Sequence, residues 1–283
     1  MNSHLSAVAP GWALPAGFIA RRLRRNPGEY VVDPWIVERK SLVALVNDRV
    51  CAAAQILRYG AHTSYKDTGE IAWLLAWPEA PEAGRVLLAA AQEAMDGWGV
   101  SEESSWGMGL WVPVCVGVPD VWPHILDLIE QAGYTSEGRH QEAVYGGTLE
   151  GIPAPGDPPD REMSLRRVMG KFGVRFEAVV NGEAVGWCEG CLDLTKGGLL
   201  PAFAGWAELS EVETKRAWRN RGVGTWLMQH LVQWLRFGGY HRVVLNVTAE
   251  DEAAGAGRFY QRFGWQPLFR QTKGWSRPRT QKG

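Results

Sequence analysis

A ten-residue segment near the middle of the chain divides it into two halves. Residues 151–160 contain four prolines and two glycines. Proline lacks a backbone N–H and fixes its own φ, so such a run continues neither a helix nor a central strand. The chain has 283 residues, more than one small domain needs. We therefore expect two domains, residues 1–150 and 161–283, joined by a linker at 151–160.

The two halves carry opposite charge. Residues 1–160 hold 11 Lys and Arg against 20 Asp and Glu, a net of −9, whereas residues 161–283 hold 19 against 11, a net of +8. The whole-chain net of −1 gives no reason to expect a nucleic-acid partner. The basic half has two interpretations, a face that docks on the acidic half or a site for a polyanionic ligand.

The remaining composition indicates a folded chain in a reducing compartment. Hydrophobic residues make up 46% and charged residues 22%, which is typical of globular proteins. No window approaches 18 consecutive apolar residues, and the first 30 residues lack a signal-peptide-like stretch. We therefore expect a cytoplasmic protein with no membrane partner. The four cysteines, Cys51, Cys115, Cys188 and Cys191, contain a single C-x-x-C and predict neither a disulfide scaffold nor a metal site.

Residues 161–283 show the periodicities of alternating strands and helices. Asn181-Gly182 is typical of a hairpin turn. Val223, Leu227, Leu231 and Leu235 recur every four residues, as in an amphipathic helix, and Gly238-Gly239 ends it. The predicted strands are Met163–Met169, Val174–Val180, Ala184–Leu194, Trp206–Lys215, Arg242–Val247 and Trp265–Lys273, with a second helix at 251–263.

A glycine- and arginine-rich loop precedes the long helix. It reads Arg219-Asn-Arg-Gly-Val-Gly-Thr225. The first turn of a helix leaves its N–H groups unpaired, and the helix dipole adds partial positive charge. Such a turn, flanked by Arg219 and Arg221, predicts an anion or phosphate site. The alternative is a glycine-rich turn that only makes a tight connection.

Two common nucleotide-binding motifs do not fit this loop. A P-loop requires Gly-Lys-Ser/Thr, which the chain lacks here. A dinucleotide fingerprint requires a third glycine where Leu227 stands, and an early βαβ unit. The loop is therefore neither a P-loop nor a dinucleotide-binding fingerprint.

The loop resembles the signature of the GNAT superfamily of acyl-CoA-dependent N-acetyltransferases, Arg/Gln-x-x-Gly-x-Gly/Ala. Here it reads Arg219-x-x-Gly222-x-Gly224. The family also places a tyrosine four residues before a glycine–aromatic pair, here Tyr260 before Gly264-Trp265. The resemblance covers roughly residues 162–275 and implies acetyl-CoA as a co-substrate. It implies that loop N–H groups hold the pyrophosphate, while splayed fourth and fifth strands admit the pantetheine arm. The implied coenzyme-binding residues are Thr214, Arg219, Arg221, Gly222, Val223, Gly224 and Thr225. Ala253 stands where the family often has an Asn, so that one contact is lost or is replaced, for instance by Asn246.

The reaction that the resemblance implies is direct attack of an amine on the thioester, which requires a proton acceptor. Glu208 is our first choice for that base. Glu211 and Glu213 are alternatives that a regular strand would place on the opposite face, unless a bulge changes the alternation. Tyr260 would protonate the leaving thiolate, or be only a packed helix residue. Nothing near Cys188 or Cys191 in the sequence activates a thiolate for a covalent intermediate.

Residues 35–150 repeat the same order of strands and helices as a degenerate copy that lacks the signature residues. The turn Asn47-Asp48 mirrors Asn181-Gly182, but the loop at 78–86 has prolines and glutamates, and Ile129 takes the tyrosine position. We expect this half not to bind coenzyme A. The predicted elements are strands Ser41–Val46, Val50–Leu57, Glu70–Trp77 and Met108–Val116, and helices Ala83–Met95 and Val121–Ala132. The expected fold class is α+β, with two tandem GNAT-like domains, each a mixed, mostly antiparallel sheet flanked by helices.

The acceptor side departs from the family. Only Gly170–Gly173 separates the first two strands, where the family inserts two helices, so we expect the N-terminal half to complete the acceptor site. Tryptophans on predicted strands would line that junction or pack in the cores: Trp73, Trp77, Trp106, Trp111, Trp187 and Trp206. The predicted function is transfer of an acetyl group to a primary amine of a small molecule. The alternatives are a non-catalytic acyl-CoA-binding or regulatory module and a protein lysine or N-terminal acetyltransferase. Acceptor, acyl length and oligomeric state stay open.

Overall fold

The computed structural model of the chain describes residues 2–8, 11–18, 35–60, 65–109, 114–136, 141–191, 194–195 and 200–278. Its strands are β1 (Ile36–Val46), β2 (Arg49–Tyr59), β3 (Thr68–Ala76), β4 (Glu102–Ser105), β5 (Val118–Pro119), β6 (Thr135–Ser136), β7 (Gln141–Thr148), β8 (Ser164–Met169), β9 (Val174–Val180), β10 (Glu183–Cys191), β11 (Trp206–Thr214), β12 (Arg242–Thr248), β13 (Gln266–Thr272) and β14 (Trp275–Arg277). Its helices are α1 (Asn2–Val8), α2 (Pro81–Gly97), α3 (Pro123–Gln131), α4 (Val223–Phe237), α5 (Ala249–Ala254) and α6 (Ala256–Gln261). None of the helices in the described ranges is long and apolar enough to cross a membrane.

The chain forms two compact units, unit 1 (Met1–Glu142 with Phe269–Gly283) and unit 2 (Ala143–Leu268). Unit 1 contains a sheet in the order β1-β2-β3-β4-β14-β6. Its first three strands are antiparallel, and β4 runs parallel to β3. Helix α2 buries its apolar stripe, which includes Leu87, Leu88 and Met95. The turn at Asn47-Asp48 has positive φ at both residues, as hairpin turns of this length favour.

The sheet of unit 2 includes the strand order β7-β12-β11-β10-β9-β8. Strands β8 to β11 are antiparallel neighbours, and β12 runs parallel to β11. The hairpin at Asn181-Gly182 has the positive φ values that its sequence predicts. Helix α4 buries Leu227, Leu231 and Leu235 in the core of the unit, as their spacing predicts. The predicted α+β fold with mostly antiparallel sheets is confirmed.

The two sheets repeat one strand pattern, including an irregularity. In unit 1, β3 leaves Ala72 out of its pairing with β2. In unit 2, β11 leaves Ser210 out of its pairing with β10. Each is a β-bulge, an extra residue that bends one strand and shifts its alternation. Alignment of the two bulges equates Glu70 with Glu208 and Ala76 with Thr214.

Each sheet takes one strand from a distant part of the sequence. Strand β14, near the end of the chain, is antiparallel to both β4 and β6 in unit 1. Strand β7, which precedes the proline-rich segment, lies next to β12 in unit 2. The compact units thus differ from the predicted boundaries, because a domain beginning at 161 omits β7 and one ending at 283 includes β14.

The proline-rich segment is irregular, as its sequence predicts, but it packs along helix α4. The Arg236 guanidinium donates to the Ile152 carbonyl at 2.9 Å, and the Trp226 ring N–H donates to the Gly156 carbonyl at 3.1 Å. Ile152 itself is 5% exposed and belongs to the core of unit 2. Residues 151–160 are therefore part of the second unit, not a free linker.

Two element predictions were wrong in position. The strand after α2 is β4, at Glu102–Ser105, not Met108–Val116. Met108 and Val114 have positive φ, which a regular strand does not permit, and residues 110–113, with Trp111, lie outside the described residues. The helix expected at 251–263 is two short helices, because Gly255 at φ +108° ends α5 in a left-handed turn.

Candidate active site

Strands β11 and β12 begin as neighbours and then separate. Their parallel register runs from the pair Trp206–Arg242 to the pair Glu208–Val244. In the described structure, the residues of β11 after Glu208 and of β12 after Val244 are not paired with each other. This leaves backbone groups of β11, up to Thr214, on an edge that faces away from β10. Such an edge can accept an extended ligand as an added strand would be accepted.

The bulge at Ser210 decides where the strand glutamates point. Ala207, Leu209 and Val212 face the core under helix α4. A regular strand would put Glu211 on the face of Leu209, but the extra residue shifts the alternation. Glu211 therefore shares a face with Glu208 and Glu213. The sequence put Glu211 and Glu213 opposite Glu208 only for a regular strand, and the bulge at Ser210 is the exception that brings all three to one face.

A row of charged side chains crosses this face of the sheet. The Arg175 guanidinium donates from Nε to Glu189 at 2.8 Å and from Nη2 to Glu211. Glu189 is fully buried and also accepts the backbone N–H of Phe172, and that of Gly173 at 3.2 Å. Burial by itself would raise the pKa of the Glu189 carboxyl, but the Phe172 amide and the Arg175 guanidinium outweigh it and hold that pKa below its usual value. Glu189 is thus a carboxylate inside the unit.

The signature loop turns tightly into helix α4. Asn220 and Gly222 both have positive φ, and Gly222, at φ +85°, precedes the first helical residue, Val223. Glycine adopts this left-handed conformation without strain. Because glycine carries no capping side chain, the first N–H groups of α4 stay available to a ligand. The predicted residues Val223, Gly224 and Thr225 form that first turn.

The two arginines of the loop take different partners. Arg219 donates from Nε to the Thr214 carbonyl at 2.8 Å and lies 3.1 Å from a Glu213 carboxylate oxygen. Arg221 lies over the Trp218 ring, 5.3 Å from its centroid. Arg219 thus ties the loop to the end of β11, and Thr214 and the α4 N-terminus are brought together.

Glycine at position 224 is not required by packing alone. A Cβ there would lie 3.4 Å from the Phe259 ring and 3.6 Å from the Thr214 hydroxyl, which are ordinary contact distances. The missing side chain leaves the backbone of the first helical turn open to close approach.

Asn246 and Ala253 lie on the other side of the cleft. Asn246 is exposed on β12, beyond the residues that pair with β11. Ala253 is exposed on α5, whose first turn Thr248 caps by accepting the Asp251 N–H at 3.1 Å. Asn246 is therefore on the strand edge where the sequence places a coenzyme contact.

Tyr260 is buried in an aromatic cluster on α6. Its ring stacks on Trp265 with centroids 6.1 Å apart and an interplanar angle of 18°, and it also contacts Tyr145. Burial raises the pKa of the Tyr260 hydroxyl well above its usual value, and Asp251 adds to the effect. The hydroxyl stays protonated across the physiological pH range, as a proton donor must.

Neither Cys188 nor Cys115 offers an activated thiolate. Cys188 is fully buried, and its Sγ lies 3.3 Å from the Leu227 carbonyl. Burial raises the pKa of the Cys188 thiol, and it raises that of Cys115 to about 12. The Cys191 side chain lies outside the described residues. Among those residues, no three His, Cys, Asp or Glu side chains come together as a metal site.

In unit 1 the equivalent strand edge is already occupied. The Leu74 N–H donates to the Met108 carbonyl at 3.2 Å. The Ala76 carbonyl accepts from the imidazoles of His4, at 2.9 Å, and His124, at 3.1 Å. Only three residues separate Trp77 from α2, whereas seven separate Lys215 from α4, so unit 1 also lacks room for the signature loop.

Sequence reasoning missed Arg175, Glu189 and His4. The first two carry opposite charges on neighbouring strands, at positions whose pairing follows once the hairpin turn at Asn181-Gly182 fixes the register. His4 gives no local signal, because its partners are more than 70 residues away.

The C-terminal part of the chain matches a known family. Residues 150–265 match the model described as the acetyltransferase (GNAT) family. The comparison with curated protein sequences gives no significant match.

Solved structures with similar folds cover most of this chain. A GCN5-related N-acetyltransferase from Sphaerobacter thermophilus is 18% identical, with a TM-score of 0.57 over 85% of this chain and 81% of its own. A tandem GNAT protein from the clavulanic acid biosynthesis pathway is 16% identical, with a TM-score of 0.56 over 96% and 92%. A glucosamine N-acetyltransferase region of a fungal β-N-acetylglucosaminidase is 14% identical, with a TM-score of 0.60 over 96% and 36%. At these identities the likeness shows the fold.

Proposed function

Residues 150–265 match the GNAT acetyltransferase family, and on that premise we propose that the chain is an acyltransferase. Its reaction is transfer of the acetyl group of acetyl-CoA to a primary amine of a small molecule. The observation that carries the proposal is the separation of β11 from β12 directly beside the uncapped N-terminus of α4. An extended thiol arm with a pyrophosphate at one end fits a strand edge that ends at an anion site.

The geometry of unit 2 supports a specific set of proposed coenzyme contacts. The N–H groups of Val223, Gly224 and Thr225 bind the pyrophosphate, and Arg219 and Arg221 add positive charge beside it. Thr214 and Asn246 lie on the two strand edges that flank the pantetheine arm. Gly222 allows the turn that directs the N–H groups outward.

The chemistry is a direct displacement. The amine nitrogen attacks the thioester carbon, the nitrogen–carbon bond forms, and the carbon–sulfur bond of the tetrahedral intermediate breaks. Glu208 accepts the proton from the attacking nitrogen, directly or through water, and Tyr260 gives its proton to the leaving sulfur. The face that Glu208 shares with Glu211 supports an acceptor approaching from that side.

We further propose that the chain binds one acetyl-CoA, in unit 2. In unit 1 the Leu74 N–H of the equivalent strand already donates to the Met108 carbonyl within the chain. Glu79 and Glu82 lie at the start of α2, where they would repel a pyrophosphate. Unit 1 is then a GNAT-like domain without a coenzyme.

The test is thiol release from acetyl-CoA with a panel of acceptors: a diamine, a polyamine, an amino sugar, an aminoglycoside and a lysine peptide. Steady release with a small amine is the expected result. Release only with the peptide would favour a protein acetyltransferase. Tight acetyl-CoA binding without release on any acceptor would replace the proposal with a non-catalytic binding module.

A further inference from the structure

One row of side chains crosses three neighbouring strands of unit 2, from Arg175 on β9 through Glu189 on β10 to Glu211 on β11. We propose that Glu189 and Arg175 are positioning residues for acetyl transfer: Glu189 fixes Arg175, and Arg175 holds the Glu211 carboxylate toward the acceptor amine. This inference rests on the proposed function, because it assigns the acceptor side of the same site.

Glu189 is the fixed end of the row. Its side chain is 0% exposed. It accepts hydrogen bonds from Arg175 and from the backbone amides of Phe172 and Gly173, which lie at the tip of the hairpin between β8 and β9. A Cβ at Gly170 would lie only 2.2 Å from the Glu189 carboxylate, so the hairpin tip closes over that group only because residue 170 is glycine. With three donors and no exposed surface, this carboxylate has one orientation.

Arg175 and Glu211 form the accessible end. The Arg175 side chain is 23% exposed and lies over the Trp187 ring, 5.5 Å from its centroid. Its planar guanidinium binds two carboxylates at once and therefore transfers the orientation of one to the other. Glu211, 41% exposed, is held on the face it shares with Glu208 and directly follows the bulge at Ser210.

Unit 1 carries the same row without charge. The positions equivalent to Arg175, Glu189 and Glu211 in the two registers are Ser41, Gln55 and Trp73. Gln55 is as buried as Glu189, and its amide donates to the Ser41 hydroxyl at 3.4 Å. The strand pairing and the bulge therefore form without an ion pair.

That difference argues for a role beyond folding. A buried ion pair is weak evidence for stability, because desolvation offsets much of its attraction. Unit 2 has a buried carboxylate where unit 1 has a neutral amide. A residue that is costly for folding and not needed by the fold is expected at a functional site. The repeat that keeps it is the one with the coenzyme loop.

The experiment compares full-length Arg175→Gln, Arg175→Lys and Glu189→Gln with wild type, using the small amine that wild type acetylates fastest. Arg166→Gln is the matched control, because Arg166 pairs with Glu177 at 2.7 Å on the same sheet without contacting Glu211. We expect kcat/KM for the amine to fall about tenfold or more in Arg175→Gln and Glu189→Gln, with partial retention in Arg175→Lys. The Kd for acetyl-CoA and the Arg166→Gln rates should stay within about twofold of wild type.

A double-mutant cycle separates positioning from folding. If Arg175 acts through Glu211, adding Arg175→Gln to Glu211→Gln lowers kcat/KM by no more than about twofold further. A purely electrostatic effect of removing Arg175 would raise kcat/KM instead of lowering it. Without that positive charge the face is more negative and attracts an ammonium group more strongly. Arg175 and Glu211 are both partly exposed, so this cycle stays informative even if Glu189→Gln fails to fold.

The outcomes distinguish the two proposals. Turnover by wild type together with equal rates in Arg175→Gln, Glu189→Gln and Arg166→Gln would overturn the positioning role and leave the acetyltransferase intact. So would multiplicative losses in the double-mutant cycle. Absence of turnover by wild type on every acceptor would overturn the proposed function, and the positioning role with it.

Discussion

The carbonyl oxygen of Ala76 accepts a hydrogen bond from the imidazole of His4 at 2.9 Å. The equivalent carbonyl in unit 2, that of Thr214, accepts from Arg219 at 2.8 Å. The same strand end is thus tied to the N-terminal helix in one repeat and to the signature arginine in the other. Under the proposed function, the repeat whose strand end is tied to the signature arginine is the one that binds the coenzyme.

The His4 contact predicts a pH-dependent stability. Burial lowers the pKa of His4 and of His124, whose Nε2 atoms lie 3.4 Å apart. The unfolded chain then binds more protons than the folded chain as the pH falls below about 6.5. The free energy of unfolding should therefore decrease from that pH downward, as urea titrations at a series of pH values would measure.

The His4→Gln variant should reduce that dependence, because its amide can donate to Ala76 without titrating. His124 and His230, whose pKa burial also lowers, should keep part of it. An unchanged slope in His4→Gln would remove His4 as the source.

The left-handed turn at Gly222 predicts a specific loss of coenzyme affinity. Gly222→Ala puts a side chain at φ +85°, which strains the backbone by about 1–2 kcal/mol. Gly182→Ala, at φ +82° in a hairpin turn of the same unit, carries the same strain away from the loop. Calorimetry should show acetyl-CoA affinity reduced roughly tenfold in Gly222→Ala only. Equal affinities in the two variants would contradict the role of the loop.

Removal of the Tyr260 hydroxyl predicts a loss of turnover without a loss of binding. Tyr260→Phe keeps the ring that stacks on Trp265, so the Kd for acetyl-CoA should not change. The kcat should fall by about 100-fold, as for removal of a general acid. Tyr145→Phe, which removes the hydroxyl bonded to Glu252 at 2.8 Å, is the control. Unchanged turnover in Tyr260→Phe would exclude it from the mechanism.

The position of β7 predicts which fragment of the second unit folds. A fragment of residues 161–272 lacks β7 and exposes the edge of β12, which invites aggregation. A fragment of residues 141–272 contains that strand. A cooperative thermal transition is expected for the longer fragment and no such transition for the shorter one. A cooperative transition in residues 161–272 would support the N-terminal boundary predicted from sequence.

Local patterns predicted much of this fold, and pairing between distant strands limited the rest. Asn181-Gly182 and the four-residue apolar period of α4 act within a few residues, so the sequence alone indicates them. The bulge at Ser210 and the placement of β7 depend on which strands meet, which no short window contains. The candidate loop was identified because its glycines and arginines are contiguous, whereas the contacts of Arg175 and His4 depend on tertiary structure.

The most direct test of the account is a crystal structure of the full chain with acetyl-CoA. We predict one coenzyme per chain, with its pyrophosphate on the amides of Val223–Thr225 and its thioester on the face of Glu208. A coenzyme bound in unit 1, at the edge that His4 now contacts, would contradict the central claim.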